Sequence, residues 1–118
     1  RRVEGGRFTD WAFEHMKAGD RLKARGPLGG FTMRSPAEAP LLFLAGGTGF
    51  APILALLRQQ VGAWPQRDMV LVWGMRQAGD FYALDELLPL LGQASCLRIV
   101  LAAEAGTPAW EARDRLGL

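Results

Sequence analysis

Twelve residues constrain this chain more than any others: Leu41 to Pro52, LLFLAGGTGFAP. Apolar residues run straight into two glycines, a threonine and a third glycine, with a proline three positions on. An apolar helical pattern follows at once. The stretch reads as a buried strand, a tight turn and a helix start. Such a turn sets unpaired backbone N–H groups and the positive end of a helix dipole at the C-terminal edge of a parallel sheet, a place suited to phosphate.

The rest of the chain arranges itself around that turn. Upstream, Arg1 to Glu4 reads as a strand end, broken by Gly5-Gly6. Phe8 to Lys17 follows as a short helix, with Thr9 as its N-cap and Phe8, Ala12, Phe13 and Met16 on one apolar face. Arg21 to Arg25 alternates polar and apolar, as a half-exposed strand does, and Phe31 to Met33 forms a second short strand beyond a glycine-rich turn. Ser35 to Pro40, SPAEAP, reads as a domain boundary. Downstream the pattern becomes βαβαβ. Leu41–Ala45 is a strand apolar throughout, as when both faces of a parallel sheet are covered. Ala51 to Val61 is a helix packing through Ile53, Leu56, Leu57 and Val61, with Pro52 harmless in its first turn. Met69 to Trp73 is a strand ended by Gly74. Phe81 to Leu91 is a helix with a stripe of Leu84, Leu87, Leu88 and Leu91, kinked or ended near Leu88 by Pro89. Cys96 to Ala102 is a third strand. Glu104 onward is loop, with a further helical turn over Trp110 to Arg115. The expected class is α/β: half of a doubly wound parallel-sheet nucleotide-binding domain.

Composition narrows the function. The hydrophobic share of 49% supports a packed core, and a net charge of +2 is too small and scattered to argue for nucleic acid. One cysteine, Cys96, and one histidine, His15, give no disulfide framework and no metal cluster. No apolar run is long enough to span a membrane, and no signal peptide is visible, which says little about the parent; a cytoplasmic location is the expectation. The chain starts at Arg1 rather than methionine and is expected to be a fragment of a longer parent.

The loop is G-T-G-x-x-P, Gly47-Thr48-Gly49-Phe50-Ala51-Pro52, not the G-x-G-x-x-G of the common dinucleotide fingerprint. Gly46 and Gly47 permit a tight turn, Gly49 lets backbone approach a pyrophosphate, and Thr48 adds a hydroxyl that a plain turn does not need.

Three segments in order, GGRFTDWAFEHMKAGDRLKARGPLGGFTMR, LLFLAGGTGFAPILALL and VLVWGMRQAGDFYALDEL, resemble the ferredoxin–NAD(P)+ reductase superfamily, most of all the bacterial reductase components that feed oxygenases and dehydratases. The resemblance covers nearly the whole chain. It implies that residues 1–36 are the C-terminal part of an antiparallel FAD-binding β-barrel and that residues 41–118 are the N-terminal part of an NAD(P)-binding domain. Gly5, Gly6, Arg7, Phe8 and Thr9 match the segment that wraps the FAD pyrophosphate, and the turn Gly26 to Phe31 closes the barrel. Gly47, Thr48, Gly49 and Pro52 match the nicotinamide-side loop. Gly74 and Arg76 match the region that meets the adenosine half. The family's flavin-ring motif would lie before Arg1 and its cysteine–glycine–proline segment beyond Leu118; Cys96 does not match it. The implied activity is hydride transfer from NAD(P)H to FAD, then electron transfer onward to a [2Fe–2S] centre or another acceptor on a ferredoxin-like domain or an oxygenase partner. Thr48 is the residue nearest an active-site role; the isolated fragment is expected to be inactive.

Several residues carry two readings. Thr9 is a pyrophosphate contact, an N-cap, or both. Arg7 pairs with phosphate or faces water. Arg76 and Asp80 bear on cofactor choice, since a carboxylate accepts from ribose hydroxyls in NADH and an arginine pairs with the extra phosphate of NADPH; the balance leans to NADH. Trp73 reads as core, Trp11 as exposed or at a domain seam, His15 as surface and Cys96 as buried. Glu104, at the ligand edge, reaches nucleotide, substrate or solvent. Two other classes remain open: an FAD-binding subunit reduced by a partner rather than by NAD(P)H, and an unrelated doubly wound fold with another nucleotide-like ligand such as S-adenosylmethionine. An incomplete barrel should also expose Phe8, Phe13 and Leu22.

Overall fold

Apolar runs separated by one-helix connections can only pair in parallel, and that is how the sheet is built. The computed structural model describes residues 2–36 and 38–106. Strands β1 (Leu41–Gly46), β2 (Met69–Gln77) and β3 (Leu97–Ala105) form a parallel sheet in the order β1-β2-β3. Helix α2 (Phe50–Ala63) connects β1 to β2, and α3 (Leu88–Gln93) connects β2 to β3; α1 (Arg7–Glu14) precedes them all. The register sets Leu42 beside Val70 beside Arg98, and Gly46 beside Gly74 beside Ala102.

One face of the sheet carries the core. Phe43, Leu71, Trp73, Ile99 and Leu101 pack with Ile53, Leu54, Leu57 and Val61 of α2 and with Leu90 and Leu91 of α3. Each fully buried side chain of this size contributes about 1.5–3 kcal/mol. On the opposite face β1 is open: Leu42 and Leu44 are 63% and 65% exposed. The expectation of a strand buried on both faces therefore fails for β1. Both connecting helices pack on the same side, so alternate residues point away from them.

Three boundaries also move. Strand β2 does not end at Gly74 but continues to Gln77, because β3 runs alongside it as far as Ala105. Glu104 is thus in a strand, not a loop. The helix expected over Phe81 to Leu91 is instead a 3-10 turn, Leu84–Glu86, followed by α3 with Pro89 in its first turn. Proline lacks the N–H that a helix interior needs, so the chain starts a new helix there instead of continuing an old one. Leu88 is consequently exposed and Leu90 takes its place in the core. The helical turn expected at Trp110 to Arg115 lies outside the described residues.

The chain divides into two compact units after Phe31, earlier than the boundary expected at Ser35 to Pro40. Met33 packs on the α/β core. Buried Arg67 donates from Nε to the Ala39 carbonyl (2.7 Å), from Nη1 to Gln60 Oε1 (2.7 Å), and from Nη2 to Ser35 Oγ and the Pro36 carbonyl. The proline-rich segment is thereby tied down on the second unit. In the first unit, residues 2–31 form α1 and no strand. The strands expected at Arg1 to Glu4, Arg21 to Arg25 and Phe31 to Met33 are not formed in the described residues. Strands exist by pairing, and these segments find no partner among the described residues. Phe8, Phe13 and Leu22 are exposed, as anticipated.

Candidate functional site

Parallel strands point the same way, so the sheet has one C-terminal edge, and the glycine loop lies on it. β1 leads through Gly46 into a 3-10 turn, Gly47–Gly49, and directly into α2. Only Gly47 needs to be glycine for backbone reasons, at φ +52°. Gly46 (φ −134°) and Gly49 (φ −64°) have dihedrals open to any residue, and a Cβ added at either would meet nothing within 4 Å. The packing of the described residues does not account for these two glycines. They leave a stretch of backbone bare of side chains at a helix start that has no side-chain cap and no acidic residue in its first turn. Thr48 is exposed beside it, and Pro52 occupies the first turn of α2.

The sheet brings Gly74 next to this loop, since Gly46 and Gly74 are register partners. A Cβ at Gly74 would meet only the Ala45 carbonyl, at 3.9 Å. Arg76 lies two residues further along β2, past the end of β1 and level with Glu104 of β3. Both are exposed on the strand positions that point away from the helices. Asp80 closes the 3-10 turn Ala78–Asp80 and is also exposed. The second unit therefore gathers Gly46, Gly47, Thr48, Gly49, Pro52, Gly74, Arg76 and Asp80 on one edge of the sheet.

The other predicted cluster behaves differently. α1 starts at Arg7, with Gly6 as its N-cap, so Thr9 is inside the helix and is not the cap expected. Its hydroxyl donates to the Val3 carbonyl (2.9 Å) and accepts from the Val3 amide (3.1 Å). Gly5 sits at φ +72°, and a Cβ on Gly6 would come within 2.4 Å of Thr9 Oγ1. Arg7 and Phe8 are exposed in the first turn. Arg2, not Arg7, forms the ion pairs here, with Asp10 (2.7 Å) and Glu14.

Of the remaining residues, His15 is on the surface and Trp11 is exposed, packed against Phe8. Cys96 is half-buried rather than buried, because it precedes β3 instead of lying inside it. Trp73 is fully buried, and its indole N–H finds no hydrogen-bond partner among the described residues. It stacks on Phe50 with ring centres 3.7 Å apart. Tyr82 escaped the sequence reading. Its ring meets Phe50 and Trp73 edge-on, and its hydroxyl donates to the Gly47 carbonyl at 3.4 Å. The one available signal was an aromatic pair directly after the Asp80 turn. Among the described residues no group of three or more His, Cys, Asp or Glu side chains is placed to hold a metal. No helix among them is long and apolar enough to cross a membrane.

The family described as oxidoreductase NAD-binding domain matches residues 43–115. This chain belongs to that family. The match sets aside the unrelated doubly wound fold. The reductase subunit of an aromatic O-demethylase from Amycolatopsis sp. is 38% identical over 104 residues, 85% of this chain and 31% of that protein. The xylene/toluene monooxygenase electron transfer component XylA of Pseudomonas putida is 37% identical over 116 residues, 96% of this chain and 33% of that protein. The crystal structure of the Amycolatopsis cytochrome P450 reductase GcoB superposes with a TM-score of 0.76 at 35% identity, covering 100% of this chain and 36% of that one. The chain thus spans about a third of the length of the curated relatives it matches.

Proposed function

We propose that this chain is the nucleotide-binding portion of a flavin-dependent NAD(P)H reductase that serves an oxygenase or a ferredoxin-like acceptor. The observation that carries the reading is the bare glycine loop. Among the described residues nothing gives Gly46 or Gly49 a steric reason to be glycine, and they sit at a helix start without a side-chain cap on the C-terminal edge of a parallel sheet. The dinucleotide pyrophosphate lies on this backbone, and Thr48 reaches the nicotinamide end. Gly74, Arg76 and Asp80 meet the adenosine half, with Asp80 favouring NADH. In the first unit, the N–H groups that open α1 at Arg7 and Phe8 take the FAD pyrophosphate, since a helix start leaves them without intrahelical partners. Thr9 acts there by holding Val3 and the Gly5-Gly6 turn in shape.

Bound there, FAD would supply the chemistry of accepting a hydride from the nicotinamide and of releasing electrons singly to a [2Fe–2S] centre or another acceptor. The residues of this chain position and orient; none has to act as a general acid or base. The relatives' names, a reductase subunit of a demethylase and an electron transfer component of a monooxygenase, support the acceptor class, and a cytoplasmic location belongs to the same proposal. The test is the visible spectrum of the full-length protein under anaerobic NADH or NADPH. Flavin absorption that bleaches on addition is expected. A bound flavin untouched by either nucleotide would overturn the reading in favour of a subunit reduced by a partner protein.

A further inference from the structure

The glycine loop has almost nothing of its own to hold it in place. Three of the four residues from Gly46 to Gly49 have no side chain, and none of the turn Gly47–Gly49 is buried. Gly47 sits at φ +52°, in the left-handed region, where the chain turns from β1 into the 3-10 turn. Two features could hold it. Phe50 anchors the far end, fully buried and stacked on Trp73. At the near end, Tyr82 is the one side chain that hydrogen-bonds to residues 46–49 among the described residues, through its hydroxyl to the Gly47 carbonyl. Tyr82 is 41% exposed, and its ring packs edge-on with its centre 5.2 Å from that of Trp73 and 6.0 Å from that of Phe50. Edge-to-face packing of this kind fixes a ring's direction, so the hydroxyl is aimed before any ligand arrives.

We propose that Tyr82 is a positioning residue that locks the glycine loop into the conformation that receives the dinucleotide. The proposal rests on the nucleotide reading of the loop for its functional half and on geometry alone for its structural half. Pre-organisation of this kind raises affinity by removing the cost of ordering the loop on binding. It does not alter the reacting atoms, so it acts on binding and not on the chemical step.

The experiment uses the full-length protein and Tyr82→Phe, which keeps the ring and removes the hydroxyl. In nucleotide-free protein, amide hydrogen exchange in the peptide covering residues 46–52 should quicken several-fold. Titration with NADH and with NADPH should show a Kd about three- to tenfold higher, the effect of one hydrogen bond. KM should rise in step while kcat stays within about twofold. Unchanged exchange would overturn the hold of Tyr82 on the loop. Faster exchange with an unchanged Kd would overturn its role in binding. A wild-type protein that binds neither nucleotide would instead defeat the proposed function, and the exchange measurement would still decide whether Tyr82 holds the loop.

Discussion

Two glycine turns in this chain each lead into a helix, and most of their glycines are there for different reasons. At Gly5-Gly6 the fold demands it: Gly5 is left-handed at φ +72°, and a Cβ on Gly6 would collide with the Thr9 hydroxyl and the Val3 carbonyl. At Gly46 to Gly49 only Gly47 is demanded; Gly46 and Gly49 have ordinary dihedrals and empty space where a Cβ would go. The first turn is explained by its own packing. The second has room that nothing in the described residues fills. A glycine that the backbone does not require, at the ligand edge of a parallel sheet, is a better indicator of a binding surface than a glycine that it does.

The contrast can be broken by substitution. The largest effect is expected from Gly49→Val, which puts side-chain volume into the open loop. NAD(P)H affinity of the full-length protein should fall roughly a hundredfold, about 2.7 kcal/mol, by titration. Its melting should report a loss of less than about 1 kcal/mol, the scale of an N-cap change. Equal losses in affinity and stability would erase the distinction between the two turns. Gly6→Ala should do the reverse, loosening the start of α1 by about 1–3 kcal/mol through the clash at Thr9, visible as faster amide exchange across residues 7–14. An unchanged exchange pattern there would show that the first turn is as open as the second. Gly47→Ala sharpens the comparison from within the loop: it should cost about 1–2 kcal/mol of stability because alanine resists φ +52°. The smallest effect is expected from Thr9→Val, where losing the hydroxyl bonds to Val3 should cost about 1 kcal/mol in thermal unfolding. A flavin affinity that dropped with no change in stability would mean that Thr9 touches the ligand rather than the turn.

The two units also differ in how much of them the sequence made legible. In the α/β unit the hydrophobic runs located all three strands and α2, because parallel strands and their connecting helix bury long apolar stretches that local pattern records. In the first unit α1 was visible from its spacing of apolar residues, but the alternation at Arg21 to Arg25 misled. Alternation says only that a segment could be a strand, while a strand needs a neighbour to pair with. The misplaced end at Gly74 came from the same limit: Gly74 looked like a stop, yet β3 supplied pairing to carry β2 past it. The break expected near Leu88 is there, between the 3-10 turn and α3, and Pro89 opens the second of these pieces.

The sequence by itself determined the strand–loop–helix unit from Leu41 onward and the residues of its glycine loop, because a strand, a turn and a helix start are set by neighbours in the chain. Only the tertiary structure decided which glycines the fold requires, that Gly74 joins Gly46 at the edge, that Thr9 is turned inward to Val3, and that Tyr82 reaches the loop from 35 residues away. Those facts depend on which parts of the chain come to lie side by side, and side-by-side placement is fixed by sheet register and core packing, which no local pattern records.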